Sequence, residues 1–271
     1  MKVIVSHDVD HLYPSEHFVS DLIFPKFWVR SFILWVKGEI GSRTFLYRLF
    51  YAFRKRMNRI PEVCQFDINH GVKSTFFFGM DSILGMSYRK EKAVPWINYV
   101  RQNGFDVGVH GCEYLNCEKI HKEHADFEAL TGIREFGVRN HYLRYDKDTF
   151  TKMEEVGYLY DTTEFNKTTL EIKDPYKIGK MWEFPLSVMD CNIFRGDLQK
   201  AKKQFSSFVD RMIQEKKEYL TLLFHDSYYD EKCYPKEKEF YEWMIHYLEN
   251  AGVIFVSYND AICELDNNGK H

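Results

Sequence analysis

Short apolar runs recur along this chain, and most are followed by a polar stretch with helical spacing. "KVIVS", "KSTFFF", "FDVGVH", "FGVRN", "YLYDTT", "MWEFPLSVMD", "YLTLLFH" and "GVIFVSY" read as buried strands, short and rich in β-branched or aromatic residues. Helices are expected over roughly 90–103, 118–131, 147–156, 197–216 and 236–250, several ending at a glycine such as Gly104, Gly157 or Gly252. Strand alternating with helix predicts an α/β fold around a parallel sheet, open or closed into a barrel. No solenoid-length repeat and no low-complexity segment interrupts the pattern.

Residues 12–65 break the alternation. This segment, with its run "FPKFWVRSFILWVKGEIGSRTFLYRLFYAFRKRMNR", is aromatic and basic. It predicts two or three helices inserted over the far end of the first strand. The reading preferred from sequence is a helical cap whose aromatics pack on the barrel and whose basic groups are solvated. The other is a patch over 26–59 that meets an anionic membrane surface or a lipid-phosphate-linked substrate.

Polar clusters stand at the ends of five strands. "HDVDH" supplies Asp8 and Asp10, "GVHGCEY" His110, "GVRNHYLR" Arg139, His141 and Tyr142, "YLYDTTEF" Asp161 and Glu164, and "LLFHD" His225 and Asp226. Carboxylates are costly to bury without a proton, a cation or a metal. The carboxyl ends of parallel strands are also where α/β active sites collect. One such cluster reads as a helix cap or a core histidine. Five in register make a site.

Composition narrows the classes. At 271 residues, 45% hydrophobic, the chain is long enough for one large domain, with 12–65 as an insertion. A formal charge of −3 carries no nucleic-acid signature. No signal peptide and no membrane-spanning run is visible, and the six cysteines form no Cys-x-x-Cys pair, so a cytoplasmic protein with reduced thiols is expected.

The ordered series "HDVD", "STFFF", "HGCEY", "RNHYL", "DTTEF" and "LFH" resembles the polysaccharide deacetylase superfamily, the family-four carbohydrate esterases with the NodB homology domain. The resemblance spans nearly everything outside 12–65, and its strength lies in the series rather than in any one motif. It implies a distorted, incomplete (β/α) barrel holding one divalent metal, zinc first and cobalt or nickel after it. By position it implies that Asp8 is the catalytic base and Asp10 and His110 are metal ligands. Arg139 would orient the base, and Tyr142 would offer its backbone N–H to the oxyanion. His225 would be the general acid, with Glu164 as its supporting carboxylate and Asp161 as the competitor.

The departures shape the expectation. Where the family carries a second metal histidine, four positions after the first, this chain has Tyr114, a poor ligand at neutral pH. His141, standing where the family has proline, is the proposed substitute, ahead of Asn116 or Glu113; it could instead contact substrate or pack in its loop. His7 reads as structural and His11 stays open. Asp190 reads as a polar turn after a buried strand, and Cys112 as a filler. The resemblance therefore implies a metal-dependent hydrolase that removes an N-acetyl or other N-acyl group from an amino sugar. The sugar or glycan would be carried on a nucleotide or lipid in bacterial surface-polysaccharide (O-antigen or capsule) assembly. The alternatives are a metal-independent cyclic amide or imide hydrolase and a non-catalytic glycan-binding protein.

Overall fold

The computed structural model describes residues 1–17 and 23–268; residues 18–22, inside the expected insertion, lie outside the described residues. Among the described residues ten strands share one sheet: β1 (Lys2–Val9), β2 (Thr75–Gly79), β3 (Asp106–Gly111), β4 (Gly137–Asn140), β5 (Tyr160–Asp161), β6 (Tyr176–Ile178), β7 (Met181–Glu183), β8 (Val188–Met189), β9 (Tyr219–Leu223) and β10 (Ile254–Phe255). The helices are α1 (Ile23–Val36), α2 (Ser42–Leu49), α3 (Ile60–Asn69), α4 (Lys90–Gln102), α5 (Cys117–Thr131), α6 (Thr149–Val156), α7 (Asp190–Ile193), α8 (Leu198–Gln214), α9 (Pro235–Asn250) and α10 (Tyr258–Asn268). The strand order is β6-β7-β5-β4-β3-β2-β1-β9-β8, with β10 beside the start of β1. All pairings are parallel except the β6–β7 hairpin.

The segment from β7 to β8 touches both edges of this sheet. Glu183 registers with Asp161 of β5, and Val188 registers with Leu222 of β9. Pro185 lies between them and has no N–H for a continuous ladder. The sheet thus closes only through a broken strand, which gives the distorted, incomplete (β/α) barrel.

The triple phenylalanine of "STFFF" shows how a two-residue period divides the core. Phe76 and Phe78 point outward into the main core with Val3, Val5 and Val9 of β1, Ile97 of α4 and Phe127 of α5. Phe77 points inward and meets Ile4, Tyr160, Phe184 and Tyr219 at the barrel floor, where Tyr258, Ala261 and Ile262 of α10 plug the end. Gly137 is the one residue that fits beneath this packing, because a Cβ there would lie 2.1 Å from the Tyr160 ring. Helix α10 was absent from the sequence expectation, although its start was legible. Ser257 and Asp260 exchange backbone N–H bonds at 3.1 Å, a reciprocal cap written as "SYND".

The expected boundary of the insertion also changes. Ile60, Val63 and Cys64 of α3 belong to the main core, so α3 is the barrel's own crossover helix and the inserted part ends by residue 59 rather than 65. Helices α1 and α2 and the turn Tyr51–Phe53 pack through Phe24, Tyr51 and Met57 against Cys233 and Tyr234. Buried Arg48 ties them down: its Nε donates to the Cys233 carbonyl at 2.8 Å, and its guanidinium lies over the Tyr234 ring. This places α1 across the carboxyl ends of the strands.

Candidate active site

Above the apolar floor lies a polar layer centred on Arg139, which is fully buried on β4. Its guanidinium stands over the Phe77 ring and donates to Ser6 Oγ at 2.7 Å, to the Tyr258 hydroxyl at 3.1 Å and to the Thr162 carbonyl at 3.2 Å. Its last strong bond runs upward to Asp8 Oδ1 at 2.9 Å. A buried guanidinium cannot shed its proton and must be paired. The carboxylate of Asp8 is therefore locked in orientation, with Oδ2 3.7 Å from His110 Nε2.

Asp10, His110 and His141 converge beside Asp8. Asp10 Oδ1 is 3.2 Å from His110 Nε2 and 3.3 Å from His141 Nδ1, and the two nitrogens are 3.0 Å apart. The tautomers follow from the carbonyls on the far side of each ring. His110 Nδ1 faces the Arg139 carbonyl at 2.9 Å and must donate to it; His141 Nε2 faces the Leu84 carbonyl at 3.2 Å and does the same. With those tautomers both rings aim lone pairs at a carboxylate oxygen that is buried and accepts no hydrogen bond. Three lone pairs so placed call for a cation. A proton can serve as that cation: burial opposes charge on His110, yet Asp8 and Asp10 outweigh it and raise its pKa. Burial likewise works against the Asp10 carboxylate, but His110 and His141 hold its pKa well below the usual range. The separations also suit a metal, since ligands of a tetrahedral zinc at about 2.0–2.1 Å stand about 3.3–3.4 Å apart.

His141 is carried by a strained turn. Tyr142 and Leu143 both adopt left-handed backbone, at φ 59° and 51°, which costs about 1–3 kcal/mol per residue. The strain turns the His141 ring back over β3 and against the Leu84–Gly85 corner. Gly85, at φ 92°, leaves room there, because a Cβ would sit 3.2 Å from His141 Nε2. The other ligand candidates are engaged elsewhere. Tyr114 borders a different groove with Tyr145 and Glu164, Glu113 Oε1 accepts the N–H groups of Tyr114, Leu115 and Asn116, and Asn116 caps α5 through Lys119 N–H. Among the described residues two further clusters have ligand atoms close together, His70–His246–Glu249 and Asp190–Cys191–His225. In each, a histidine Nδ1 contacts a carboxylate at 2.8–3.1 Å, as an ordinary hydrogen bond would.

His225 follows β9 and faces Asp10 Oδ2 through Nε2 at 3.7 Å. The carboxylate behind it is Asp190, which accepts from Nδ1 at 2.9 Å and from the His225 backbone N–H at 2.7 Å. This corrects the expectation for Glu164 and Asp161. Glu164 instead takes Lys173 at 2.6 Å and the Tyr176 hydroxyl at 3.0 Å, outside the cavity. Asp161 accepts from the Thr163 backbone and hydroxyl and abuts Glu183 across the β5–β7 pair. Sequence order placed the support beside the fifth strand, but the broken strand before α7 delivers Asp190 to His225 directly. Burial lowers the pKa of His225, yet Asp190, Asp10 and Asp8 raise it to about 10, so it holds a proton at neutral pH. If the site is catalytic, Asp190→Asn should lower kcat by about 10²–10⁴-fold. Glu164→Gln should stay within a few-fold, and equal losses in steady-state assays would overturn the pairing.

Two other candidates take structural places. His7 lies outside the barrel, bonded to the Phe224 carbonyl at 2.9 Å and Asp67 at 3.1 Å. Asp226 accepts the Arg59 backbone N–H at 2.6 Å, and burial pushes its carboxyl up to about 7. Burial also raises the Cys112 thiol, which therefore stays protonated and is no nucleophile. Glu183 is held neutral by burial and by Asp161, its pKa well above the ordinary 4.5. A raised carboxyl pKa means that the folded state binds the extra proton, so its stabilisation is complete at low pH. It is lost as pH rises from the ordinary carboxylate range through the raised value. Thermal melts of Glu183→Gln should therefore fall less steeply with rising pH than those of the parent; parallel profiles would refute a neutral, buried Glu183.

Asp8, Asp10, His110, His141, Tyr142 and His225 line one cavity of about 570 Å³, roofed by Ile23, Lys26, Phe27 and Arg30 of α1. That volume falls within the roughly 300–1,000 Å³ usual for small-molecule sites. His11 also borders it.

No protein-family model matches the sequence, and a search of curated proteins finds no match. Solved structures do match. The chain aligns over 99% of its length with 91% of a putative polysaccharide deacetylase from Mycobacterium smegmatis, at 16% identity and a TM-score of 0.64. It aligns over 96% with 88% of an allantoinase, at 15% identity and a TM-score of 0.62. It also aligns over 96% with 86% of the chitin deacetylase of the fungus Colletotrichum lindemuthianum, at 12% identity and a TM-score of 0.53. Likeness over nearly whole chains at such low identity is a statement about architecture: this chain is built on the distorted (β/α) barrel of the polysaccharide deacetylases.

Proposed function

We propose that this protein is a divergent polysaccharide deacetylase, a hydrolase that removes an N-acetyl or other N-acyl group from an amino sugar. The observation that carries the reading is the arrangement around one three-ligand cluster. Asp10, His110 and His141 form its centre, with Asp8 fixed by Arg139 on one side and His225 fixed by Asp190 on the other. A divalent ion held there, zinc first, would polarise the acyl oxygen and make water more acidic.

The chain's own groups supply the rest. Asp8 takes the proton of the attacking water as the new carbon–oxygen bond forms. The Tyr142 backbone N–H, set by the strained turn, assists the oxyanion. His225 gives its Nε2 proton to the sugar nitrogen as the carbon–nitrogen bond breaks, leaving a carboxylate and an amine. His141 meets the objection raised by Tyr114, which weighs against the metal-free cyclic amide hydrolase and the non-catalytic glycan-binding protein. The basic roof of Lys26 and Arg30 suits a substrate carried on a phosphate, as in nucleotide- or lipid-linked surface-glycan assembly. Six unpaired cysteines suit the cytoplasm.

The test is acyl release, measured by coupled acetate detection and mass spectrometry, from N-acetylated nucleotide sugars, lipid-linked sugars and chitin oligomers. The metal-loaded and chelated proteins are run side by side. Metal-dependent release from any of these supports the proposal. Equal turnover of a cyclic amide by both forms would move the function to the imide-type hydrolase, and glycan binding without turnover would move it to a binding protein.

A further inference from the structure

Helix α1 buries one side and shows an apolar stripe on the other. Phe24 and Ser31 face the protein, and Phe27 packs beside them. Outward stand Val29 (62% exposed), Phe32 (53%), Ile33 (46%) and Val36 (66%), at the i, i+3, i+4, i+7 spacing that normally marks a buried face. The stripe continues sideways onto its neighbours. Phe45 of α2 stacks on Trp35 at 4.8 Å, and Leu46, Phe50 and Phe53 are exposed beyond it. A contiguous apolar surface of this kind is uncommon on a soluble monomer and marks an interaction site.

The charge around the patch selects the occupant. From Ile23 to Arg56 there are eight basic residues and one acid, Glu39, in a chain whose overall charge is −3. Arg48, Arg54 and Arg56 are committed to Cys233, Asp230 and Glu62, and Lys26 and Arg30 border the cavity, while Lys37, Arg43 and Lys55 are exposed around the apolar stripe. A second copy of this chain would bring the same cations face to face, and self-association through the patch would be opposed. An anionic lipid surface offers what both features want: acyl chains for the aromatics and phosphate for the lysines and arginines. Among the described residues no helix is long and apolar enough to cross a membrane.

We propose that the outer face of α1, extended by α2 and Phe50–Phe53, docks on an anionic bilayer and holds the active-site cavity at the membrane surface. The inner side of the same helix lines that cavity through Ile23, Lys26, Phe27 and Arg30, so docking brings its mouth to lipid-attached glycans. The docking stands on the patch itself; the choice of a glycan as substrate rests on the function proposed above.

Co-sedimentation with vesicles of phosphatidylcholine, with and without phosphatidylglycerol, tests it. The full chain should bind the anionic vesicles, lose binding as salt is raised, and leave the neutral vesicles largely unbound. Replacing Val29, Phe32, Ile33 and Val36 together by Ser should weaken binding at least about tenfold, since each buried methylene contributes to insertion. The residues are exposed, so the variant's thermal melt should match the parent's. Absence of anionic-vesicle binding at low salt, unchanged binding by the folded variant, or a patch-dependent dimer in analytical ultracentrifugation would each overturn docking. The same vesicle assay on Asp8→Asn protein keeps the two proposals apart, because docking survives there whether or not the site is catalytic.

Discussion

Asp8→Asn should lower kcat by about 10²–10⁴-fold, the usual contribution of a positioned general base. Asparagine keeps the shape of the side chain but cannot take a proton from water. The same change removes the charge that pairs with Arg139, a guanidinium buried above Phe77 and left with neutral acceptors at Ser6, Thr162 and Tyr258. Breaking a buried ion pair costs about 3–5 kcal/mol, so a shift in the denaturation midpoint should accompany the loss of activity. The two effects separate when kcat is measured well below the variant's unfolding transition. Base loss persists there in fully folded protein, whereas a purely structural role for Asp8 would restore most of the activity. Turnover within tenfold of the parent under those conditions would end the assignment of Asp8 as base.

His141→Ala should weaken metal binding by at least about 10²-fold, because even losing a group behind a ligand costs 10–100-fold. Elemental analysis of dialysed protein and competition with a chromophoric chelator would read this without any activity assay. Tyr114→His is the companion, and there metal content should not change. The family spacing would make position 114 the ligand, but Tyr114 borders another groove, while His141 Nδ1 lies 3.0 Å from His110 Nε2. A parent protein without metal after zinc loading would remove the centre from the proposal altogether. Metal retained by His141→Ala but lost by His110→Ala would leave a centre whose third ligand lies elsewhere.

The sequence by itself determined the alternation of strands and helices, since two-residue and 3.6-residue periods are local properties. Expected helices at 90–103, 118–131, 147–156, 197–216 and 236–250 lie within about two residues of α4, α5, α6, α8 and α9. It also determined that polar clusters stand at strand ends, because a strand's direction and end are visible in its own residues. That is why Asp8, Asp10, His110, Arg139, His141, Tyr142 and His225 could be listed as candidates, but the same reasoning also listed Asp161, Glu164 and Asp226, which the fold places elsewhere.

Which of those groups face one another was decided only by tertiary structure. Asp190 and Glu164 were both carboxylates near strand ends, and nothing local distinguishes them. Pro185 does, by interrupting the segment that carries Asp190 from the β5 edge to the β9 edge, where His225 waits. The orientation of His141 depends on two left-handed residues and on the Leu84 carbonyl, a partner 57 positions away. The stripe Val29, Phe32, Ile33 and Val36 has the spacing of a core face. Only the packing of α1 through its opposite side leaves that stripe in solvent, because a helix apolar all round can bury one face against a barrel and must find another partner for the rest.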